Sequence, residues 1–239
     1  MAKGHVLITG SSSGIGRAAI QKIRLMTDQP MILAFREKAN IKEIADATYF
    51  SFHAESYESV ENFGYMLQQL QITHFLQIHG DAQSEDSLEN QTYDKLESSF
   101  KVNSFSTIIL LKYILPKMKA QQFGRILLMN TASSEYGGGE ESFGYGLAKH
   151  SISFITLHLA KYYTKYNILT NCISPGVFLT EFHTKRMKRT SDELQNRIDS
   201  IRLKRAGTLD EISELIYYLT FINSYISGEN FKIDGADFI

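Results

Sequence analysis

The sequence predicts an α/β protein built on a doubly wound parallel sheet, and three observations support that prediction. The chain has 239 residues, a length that one α/β domain commonly reaches. Short apolar runs alternate with amphipathic segments, which is typical of parallel strands joined by helices on both faces of a sheet. A glycine-rich turn, Gly10–Gly16, follows the first apolar run and opens the first amphipathic segment. We find no internal repeat or linker and expect a single domain over residues 1–239.

Seven short apolar runs predict seven strands, because each has the length of a strand and ends at turn-forming or polar residues. The longer segments between them carry apolar residues at helical spacing and predict helices. The predicted strands are His5–Thr9, Pro30–Phe35, Thr48–His53, Thr73–His79, Gly124–Met129, Ile168–Ser174 and a last strand into which the segment Tyr225–Ile233 runs through Gly228. The predicted helices follow Gly16 and cover Ile41–Ala47, Tyr57–Leu70, Asn90–Lys119, a segment from Tyr145 through Ser151–Tyr166, and Leu209–Thr220.

The composition excludes several classes of function. The formal net charge is −1, so no overall field would recruit nucleic acid. The single cysteine, Cys172, excludes an intramolecular disulfide and a multi-cysteine metal site. It lies in the apolar run Ile168–Ile173, so we expect a buried structural thiol and no metal centre. The first apolar run is too short for a signal peptide and no segment reaches membrane-spanning length, so we expect a cytoplasmic protein that binds no membrane.

The glycine-rich turn is a candidate phosphate-binding site. Glycine lets the backbone turn tightly and approach a pyrophosphate without a Cβ in the way. The free N–H groups and the positive dipole end of the following helix attract the phosphate charge. The alternative is a glycine-rich turn that binds no ligand. The candidate contacts are Gly10, Ser12, Ser13, Gly14, Ile15 and Gly16.

The end of the second strand indicates which dinucleotide would bind. A dinucleotide fold usually places an acid there when it holds the 2′-hydroxyl of NAD. Here Phe35 occupies the position and Arg36 follows. A guanidinium matches a phosphate in charge and geometry, so we predict that Arg36 contacts the 2′-phosphate of NADP. The alternative is an arginine in an ordinary surface loop.

A tyrosine and a lysine four residues apart form the candidate catalytic pair. Residues at this spacing share one face of a helix, so Tyr145 and Lys149 would place a phenol beside an ammonium. The positive charge should lower the pKa of Tyr145 below its free value of about 10, which would allow proton transfer near neutral pH. The alternative is an exposed pair on an amphipathic helix. Ser133 and Ser134 lie in the loop before this helix.

Residues 179–205 differ in character from the rest of the chain, because basic residues are frequent and large apolar residues are few. Such a segment is typical of a mobile lid over a site. A solvated helix face is the alternative interpretation. The basic residues are Lys185, Arg186, Lys188, Arg189, Arg197, Arg202, Lys204 and Arg205.

Together these residues resemble the short-chain dehydrogenase/reductase family, and the resemblance covers essentially the whole chain. The family's TGxxxGxG turn stands at Thr9–Gly16, its YxxxK pair at Tyr145 and Lys149, and its Pro-Gly step at Pro175–Gly176. The C-terminal third is similar to that of 3-oxoacyl thioester reductases. The resemblance implies a Rossmann-type fold and an oxidoreductase that reduces a carbonyl to a secondary alcohol. NADP(H) is the implied cofactor, in preference to NAD(H).

The resemblance also implies a role for each site residue. Tyr145 would donate a proton to the carbonyl oxygen, and Ser133 would hydrogen-bond that oxygen. Lys149 would hold the nicotinamide ribose and support the phenolate, while Asn103 would fix a water leading to Lys149. The other implied cofactor contacts are the glycine turn, Arg36, His53, Ala54, His79, Gly80, Pro175, Gly176, Val177 and Thr180.

Three features depart from the family pattern. Residues Ile78–Asp81 read Ile-His-Gly-Asp where the family usually has Asn-Asn-Ala-Gly, which changes hydrogen bonds that support the sheet and the cofactor ribose. Ser133 precedes Tyr145 by 145 − 133 = 12 positions, where thirteen is common, so Ser134 competes for the same role. The third strand ends at His53-Ala54, where an acidic or amide residue is frequent.

The expected substrate is small or carrier-bound, and the resemblance favours a 3-oxoacyl group on a thioester carrier. Lys161, Lys165 and the run Lys185–Arg189 are candidates to meet an acidic carrier. A dehydrogenase of a sugar, polyol or small secondary alcohol is the enzymatic alternative, because specificity in such folds lies in the loops. A cofactor-binding sensor or scaffold is the alternative from another class. The family commonly pairs its fourth and fifth long helices, so we expect a homodimer or homotetramer.

Overall fold

The computed structural model describes residues 4–37, 43–83, 85–182 and 190–237. Within these ranges, seven parallel strands form one sheet in the order β3-β2-β1-β4-β5-β6-β7. The strands are β1 (His5–Thr9), β2 (Met31–Phe35), β3 (Ala47–Ser51), β4 (Ile72–Gln77), β5 (Gly124–Met129), β6 (Ile168–Pro175) and β7 (Asn230–Ile233). The α-helices are α1 (Gly14–Met26), α2 (Tyr57–Leu67), α3 (Tyr93–Phe100), α4 (Ser106–Ala120), α5 (Phe143–Tyr163), α6 (Ser191–Ser200) and α7 (Leu209–Tyr217).

Two apolar layers, one on each face of the sheet, confirm the doubly wound prediction. Successive residues of a strand point to opposite faces, so Leu7 joins one layer while Val6 and Ile8 join the other. Helices α2, α4 and α5 contribute to the first layer, and α1 and α7 to the second. Because the central strands are buried on both faces, they read as continuous apolar runs, which is why the sequence located them well.

The order of the strands places a crevice at one edge of the sheet. From β1 the chain moves outward through β2 to β3, and it then returns to the other side of β1 with β4. Connections therefore leave β1 and β4 in opposite directions, and the carboxyl ends of these two strands border the crevice where such folds bind ligands. The predicted site residues follow the carboxyl ends of β1 to β6.

The long helix predicted over Asn90–Lys119 is interrupted. Helix α3 passes into one π-helical turn, Lys101–Phe105, before α4 begins. Asn103 lies in this turn, is fully buried and donates from Nδ2 to the carbonyl of Ser99 at 3.0 Å. A π-turn inserts one residue into the helix and changes the direction of the neighbouring side chains. Such turns are often found at functional sites. Apolar periodicity alone could not reveal it.

One other predicted element is wrong in part. Residues 43–46 of the helix predicted over Ile41–Ala47 are not helical, Asp46 has a left-handed φ of 54°, and Ala47 already belongs to β3; residues 41 and 42 lie outside the described ranges. This segment is too short for its apolar pattern to outweigh turn geometry. The segment Tyr225–Ile233 runs through Gly228 into the last strand, as predicted: the backbone turns at Gly228 with a φ of +95°, and Asn230–Ile233 pairs with β6.

The thiol of Cys172 is buried within the first apolar layer, as predicted. In the part of the chain that the structure describes, none of the helices combines the length and the apolar character needed to cross a bilayer.

Candidate active site

A cavity of about 520 Å³ opens at the carboxyl edge of the sheet and gathers most of the predicted site residues. Gly16, His53 and Asn103 are predicted contacts that do not line it. The predicted residues that do line it are Gly10, Ser12, Ser13, Gly14, Ile15, Arg36, Ala54, His79, Gly80, Ser133, Tyr145, Lys149, Pro175, Gly176, Val177 and Thr180.

The glycine turn leaves room for a ligand at the N-terminus of α1. Gly10 has a φ of +72°, and a Cβ on it would lie 2.5 Å from the backbone nitrogen of His79. A Cβ on Gly14 would lie 2.7 Å from Cγ2 of Thr180. The Ser13 side chain caps α1 by accepting from the N–H of Gly16 at 3.0 Å. The exposed helix terminus and the absence of side chains fit the diphosphate of a dinucleotide.

Gly16 and His53 take other places than the predicted ones. A Cβ on Gly16 would lie 2.3 Å from the carbonyl oxygen of Gly10, so Gly16 packs the turn on itself rather than facing the cavity. His53 is largely exposed, with Nδ1 3.3 Å from Glu55 Oε1 and Nε2 3.3 Å from Ser51 Oγ.

Two arginines reach the end of the cavity beside β2. The Arg36 Nη1 donates to Asp81 Oδ2 at 3.1 Å, and both side chains line the cavity. Arg17 also lines it and donates to the carbonyl of Ser12. The sequence analysis missed Arg17, although its position directly after Gly16 was a usable signal.

His79, which departs from the family pattern, has a hydrogen-bond partner for each ring nitrogen. Nδ1 lies 2.7 Å from the hydroxyl of Thr9, and Nε2 lies 2.9 Å from that of Ser106. The Ser106 hydroxyl donates to the carbonyl of Val102, so we assign the ring hydrogen to Nε2. Burial, reinforced by the charge of Lys149, lowers the pKa of His79 to about 3. His79 is thus uncharged and links β1 to α4 through its two hydrogen bonds.

Gln77 joins the carboxyl ends of β4 and β5, a role that the sequence analysis missed. Its Nε2 donates to the carbonyl of His79 at 2.6 Å, and its Oε1 accepts from the N–H of Met129 at 3.1 Å. The same two residues receive the ammonium of Lys149, whose Nζ lies 2.8 Å from the Met129 oxygen and 3.4 Å from that of His79. The position of Lys149 is therefore set by the strand ends.

Tyr145 and Lys149 lie one turn apart on α5, and both are buried. Burial lowers the pKa of Lys149 to about 7. Burial also raises the pKa of Tyr145 to about 12, while a hydrogen bond with the Thr131 side chain opposes the rise and the charge of Asp81 adds to it. The predicted lowering of the phenol pKa is therefore wrong for this structure. Desolvation disfavours the charged form of both groups.

The two candidate serines differ in what their surroundings allow. Ser133 lies in a 3₁₀ turn, Ala132–Glu135, and lines the cavity. The Ser134 hydroxyl donates within its own loop, to Asn130 Oδ1 at 3.0 Å and the carbonyl of Thr131 at 2.8 Å. This geometry favours Ser133 as the hydroxyl available to a ligand.

Asn103 lies behind the cavity wall rather than in it. Its Oδ1 accepts from the N–H of Asp81 at 3.1 Å, and its Nδ2 donates to the Asp81 carbonyl at 2.8 Å. A Cβ on Gly80 would lie 2.9 Å from both Asn103 Oδ1 and Lys149 Nζ. The two polar groups thus flank Gly80, and a larger residue there would push between them.

Asp86 anchors the start of the helix that carries Tyr145, and the sequence analysis missed it. The side chain is 1% exposed, and its Oδ2 accepts from the N–H of Tyr145 at 2.8 Å. Its Oδ1 accepts from Gln91 Nε2 at 2.8 Å, and its carbonyl accepts from the N–H of Phe143 at 2.8 Å. A carboxylate at the positive end of α5 is favourable in charge as well.

The predicted lid is described only in part. The ring of Phe182 lies 5.9 Å from that of Tyr145, and both line the cavity. Ile198 of helix α6 and Ile201, which follows it, pack against Val177. Arg197 forms an ion pair with Asp237. Of the predicted basic residues, Lys185, Arg186, Lys188 and Arg189 lie outside the described ranges.

Comparison with known proteins shows likeness over nearly the whole chain. The sequence model of the family described as Enoyl-(Acyl carrier protein) reductase matches residues 10–235. The 3-oxoacyl-[acyl-carrier-protein] reductase FabG of Aquifex aeolicus (strain VF5) is 28% identical over 254 residues, which cover 97% of this chain and 96% of the relative.

Solved structures share the fold. A 4-hydroxyisoleucine dehydrogenase complexed with NADH has a TM-score of 0.87 at 22% identity, with 98% of each chain covered. A 3-oxoacyl (acyl-carrier-protein) reductase from Agrobacterium tumefaciens C58 with NADP bound has a TM-score of 0.83 at 20% identity, covering 97% of this chain and 93% of that chain.

The hydrogen bond between Asp86 and the Tyr145 backbone predicts a graded loss of stability. We expect Asp86→Ala to lower the free energy of unfolding by about 1–3 kcal/mol, because the N–H of Tyr145 loses its buried acceptor. Asp86→Asn should cost less, since its amide can still accept from Tyr145. Its Nδ2 would face Gln91, whose amide must turn so that the buried Oε1, which has no partner among the described residues, accepts from it. Urea denaturation of both variants measures the difference, and equal losses would contradict this account.

The buried ammonium predicts a pH dependence of stability. The pKa of Lys149 is about 7 in the folded chain against an ordinary 10.5, so above pH 7 the unfolded chain binds more protons at this residue. Its contribution to stability should therefore become more favourable as the pH rises from 7 towards 10. We expect the free energy of unfolding of wild type, relative to Lys149→Met, to rise across this window.

The exposed Lys161 on the same helix supplies the control for this measurement. Urea unfolding at several pH values should show no comparable trend for Lys161→Met. Parallel pH curves for wild type and Lys149→Met would contradict the burial argument.

Proposed function

Because this chain belongs to the short-chain dehydrogenase/reductase family of oxidoreductases, we propose that it reduces a carbonyl to a secondary alcohol with NADPH. The observation that carries the proposal is the buried Tyr145–Lys149 pair, which lines the same cavity as the glycine turn of α1. A cofactor bound across that turn would reach the phenol without leaving the cavity.

In the proposed mechanism a nicotinamide bound in the cavity would supply the hydride, and Tyr145 would supply the proton. The phenol must keep its proton until the substrate oxygen becomes basic, and a raised pKa of about 12 ensures that it does at neutral pH. An alkoxide is basic enough to take this proton, since the pKa of a hydroxyl group such as that of water is about 15.7. Ser133 would donate to the same oxygen and hold it next to the phenol.

Lys149 and Asn103 would restore the phenol after each turnover. Once Tyr145 has given up its proton, the ammonium of Lys149 would transfer one to the phenolate, because the pKa of the lysine, about 7, lies well below that of the phenol, about 12. The same ammonium would hydrogen-bond the ribose hydroxyls. Asn103, across Gly80 from Lys149, would hold the water that returns the proton.

The choice of NADP(H) rests on Arg36 and Arg17, which line the cavity beside β2. Two guanidinium groups there suit a 2′-phosphate. Glu37 lines the same end, and its carboxylate favours NAD(H). We assign NADP(H), because Phe35 occupies the strand-end position where NAD-binding folds carry their acid.

For the substrate we propose a 3-oxoacyl thioester. The support is the likeness to the Aquifex aeolicus reductase and the apolar side chains of Ala132, Val177 and Phe182 in the cavity lining, of which Phe182 lies beside Tyr145. Such a lining suits an acyl chain. The exposed Lys161 and Lys165 would bind an acidic carrier. We place the reaction in the cytoplasm. A sugar, polyol or small secondary alcohol is the alternative, and the polar Thr131, Glu181 and Arg197, which line the same cavity, would suit it.

We also propose self-association through α4 and α5 as a homodimer or homotetramer. Both helices expose large apolar side chains, and a symmetric partner would cover them. The exposed residues are Phe105, next to α4, Ile108, Leu147, Phe154 and Leu157.

Tyr145→Phe tests the proton donor. The substitution removes the phenolic hydrogen and keeps the ring, so we expect kcat with NADPH and a short 3-oxoacyl thioester to fall by about a hundredfold or more. Tyr162→Phe changes an exposed tyrosine on the same helix and should leave the rate unchanged. Equal rates for wild type and Tyr145→Phe would defeat the mechanism. NADPH binding without turnover on any carbonyl of a wide panel would favour a sensor or scaffold.

Arg36→Ala tests the cofactor assignment. Loss of a charge-assisted contact to the 2′-phosphate should weaken NADPH binding by about ten- to a hundredfold and leave NADH binding nearly unchanged. Fluorescence titration of both cofactors measures the two Kd values. Arg205→Ala, which changes an exposed arginine paired with Glu211, is the control. A parallel loss for both cofactors would contradict the assignment.

A further inference from the structure

An ion pair between Arg36 and Asp81 spans the part of the cavity assigned to the 2′-phosphate. The Nη1–Oδ2 distance is 3.1 Å, and the side chains are 31% and 26% exposed. Asp81 follows β4, whereas Arg36 follows β2, so the pair links two strands that lie on either side of β1. The sequence predicted a role for Arg36 but none for Asp81.

The carboxylate is the fixed partner of this pair. Asn103 holds the backbone of Asp81 from both sides, accepting from its N–H at 3.1 Å and donating to its carbonyl at 2.8 Å. The Oδ1 of Asp81 also accepts from the N–H of Ala82 at 3.1 Å. Arg36 would therefore have to leave or share this carboxylate in order to bind a phosphate.

We propose that Asp81 is a cofactor-specificity residue that restrains the preference of this chain for NADP(H) by competing with the 2′-phosphate for Arg36. The inference rests on the proposed function, in which Arg36 contacts that phosphate. Two effects act in the same direction. The phosphate must take the guanidinium from a carboxylate that already holds it, and the carboxylate repels the phosphate. NADH carries no 2′-phosphate and escapes both effects.

Asp81 loses stabilisation when Arg36 leaves it, and this loss adds to the competition for Arg36. Burial raises the pKa of the Asp81 carboxyl, and the charge and hydrogen bond of Arg36 act against that rise. When Arg36 turns to a phosphate, the carboxylate loses part of this compensation. The opposite role, in which Asp81 presents Arg36 to the phosphate, predicts weaker NADPH binding once the carboxylate is removed, so a binding experiment separates the two.

The experiment compares wild type, Asp81→Asn, Arg36→Ala and the double variant. Asparagine keeps the Oδ1 acceptor for Ala82, and the bonds from Asn103 involve only the backbone. Asp81→Ser is a second variant should the first fold poorly, and thermal melting monitors both. The probes are NADPH, NADH, 2′,5′-ADP and 5′-AMP, of which the last two report the adenosine end alone. Binding is measured rather than turnover, because Asp81 also raises the pKa of Tyr145.

We expect Asp81→Asn to tighten NADPH and 2′,5′-ADP by about three- to tenfold, the range for a partly exposed charge pair and its repulsion. NADH and 5′-AMP should bind as in wild type. In the Arg36→Ala background the gain should shrink, since no guanidinium is left to compete for.

Two results would overturn parts of this account separately. Unchanged or weaker NADPH binding in Asp81→Asn, while Arg36→Ala still weakens NADPH, would overturn the role of Asp81 alone. Unchanged selectivity between NADPH and NADH in Arg36→Ala would overturn the assignment of Arg36, and the role of Asp81 with it.

Discussion

The site depends on one buried contact, in which the ammonium of Lys149 donates to the main-chain oxygen of Met129 at 2.8 Å. A charge with 1% exposure is costly, and burial lowers its pKa to about 7. The carbonyl dipoles at the ends of β4 and β5 offset part of this cost. Because Tyr145 lies one helical turn before Lys149, the same contact sets where the phenol stands. The strand ends thus determine the geometry of the proposed proton donor.

The strand ends are held in turn by buried polar side chains that form hydrogen bonds with one another and with the backbone. Gln77 connects His79 to Met129, His79 connects Thr9 to Ser106, and Asn103 grips the backbone after β4. A buried polar group that loses its partner is expensive, so such a network has few alternative arrangements. The departure at His79 from the family's asparagine is therefore a substitution within a network that remains fully paired around the imidazole.

Electrostatics joins the two ends of the cavity. Asp81 meets Arg36 at the end assigned to the cofactor adenosine, and its charge also contributes to the raised pKa of Tyr145. Burial remains the larger cause of that rise. A change in the partners of Arg36 would therefore alter the pKa of Tyr145, because a low-dielectric interior screens charges weakly. This connection is absent from any local pattern of the chain, since Arg36 and Asp81 follow separate strands.

The sequence by itself determined the parallel sheet, the glycine turn and the pairing of Tyr145 with Lys149, because each follows from apolar periodicity or from spacing within one element. Only the tertiary structure decided the direction of the Tyr145 pKa, the π-turn at Asn103 and the carboxylates of Asp81 and Asp86 as partners of the site. The physical reason is that desolvation and hydrogen bonding depend on which distant residues surround a group once the chain has folded.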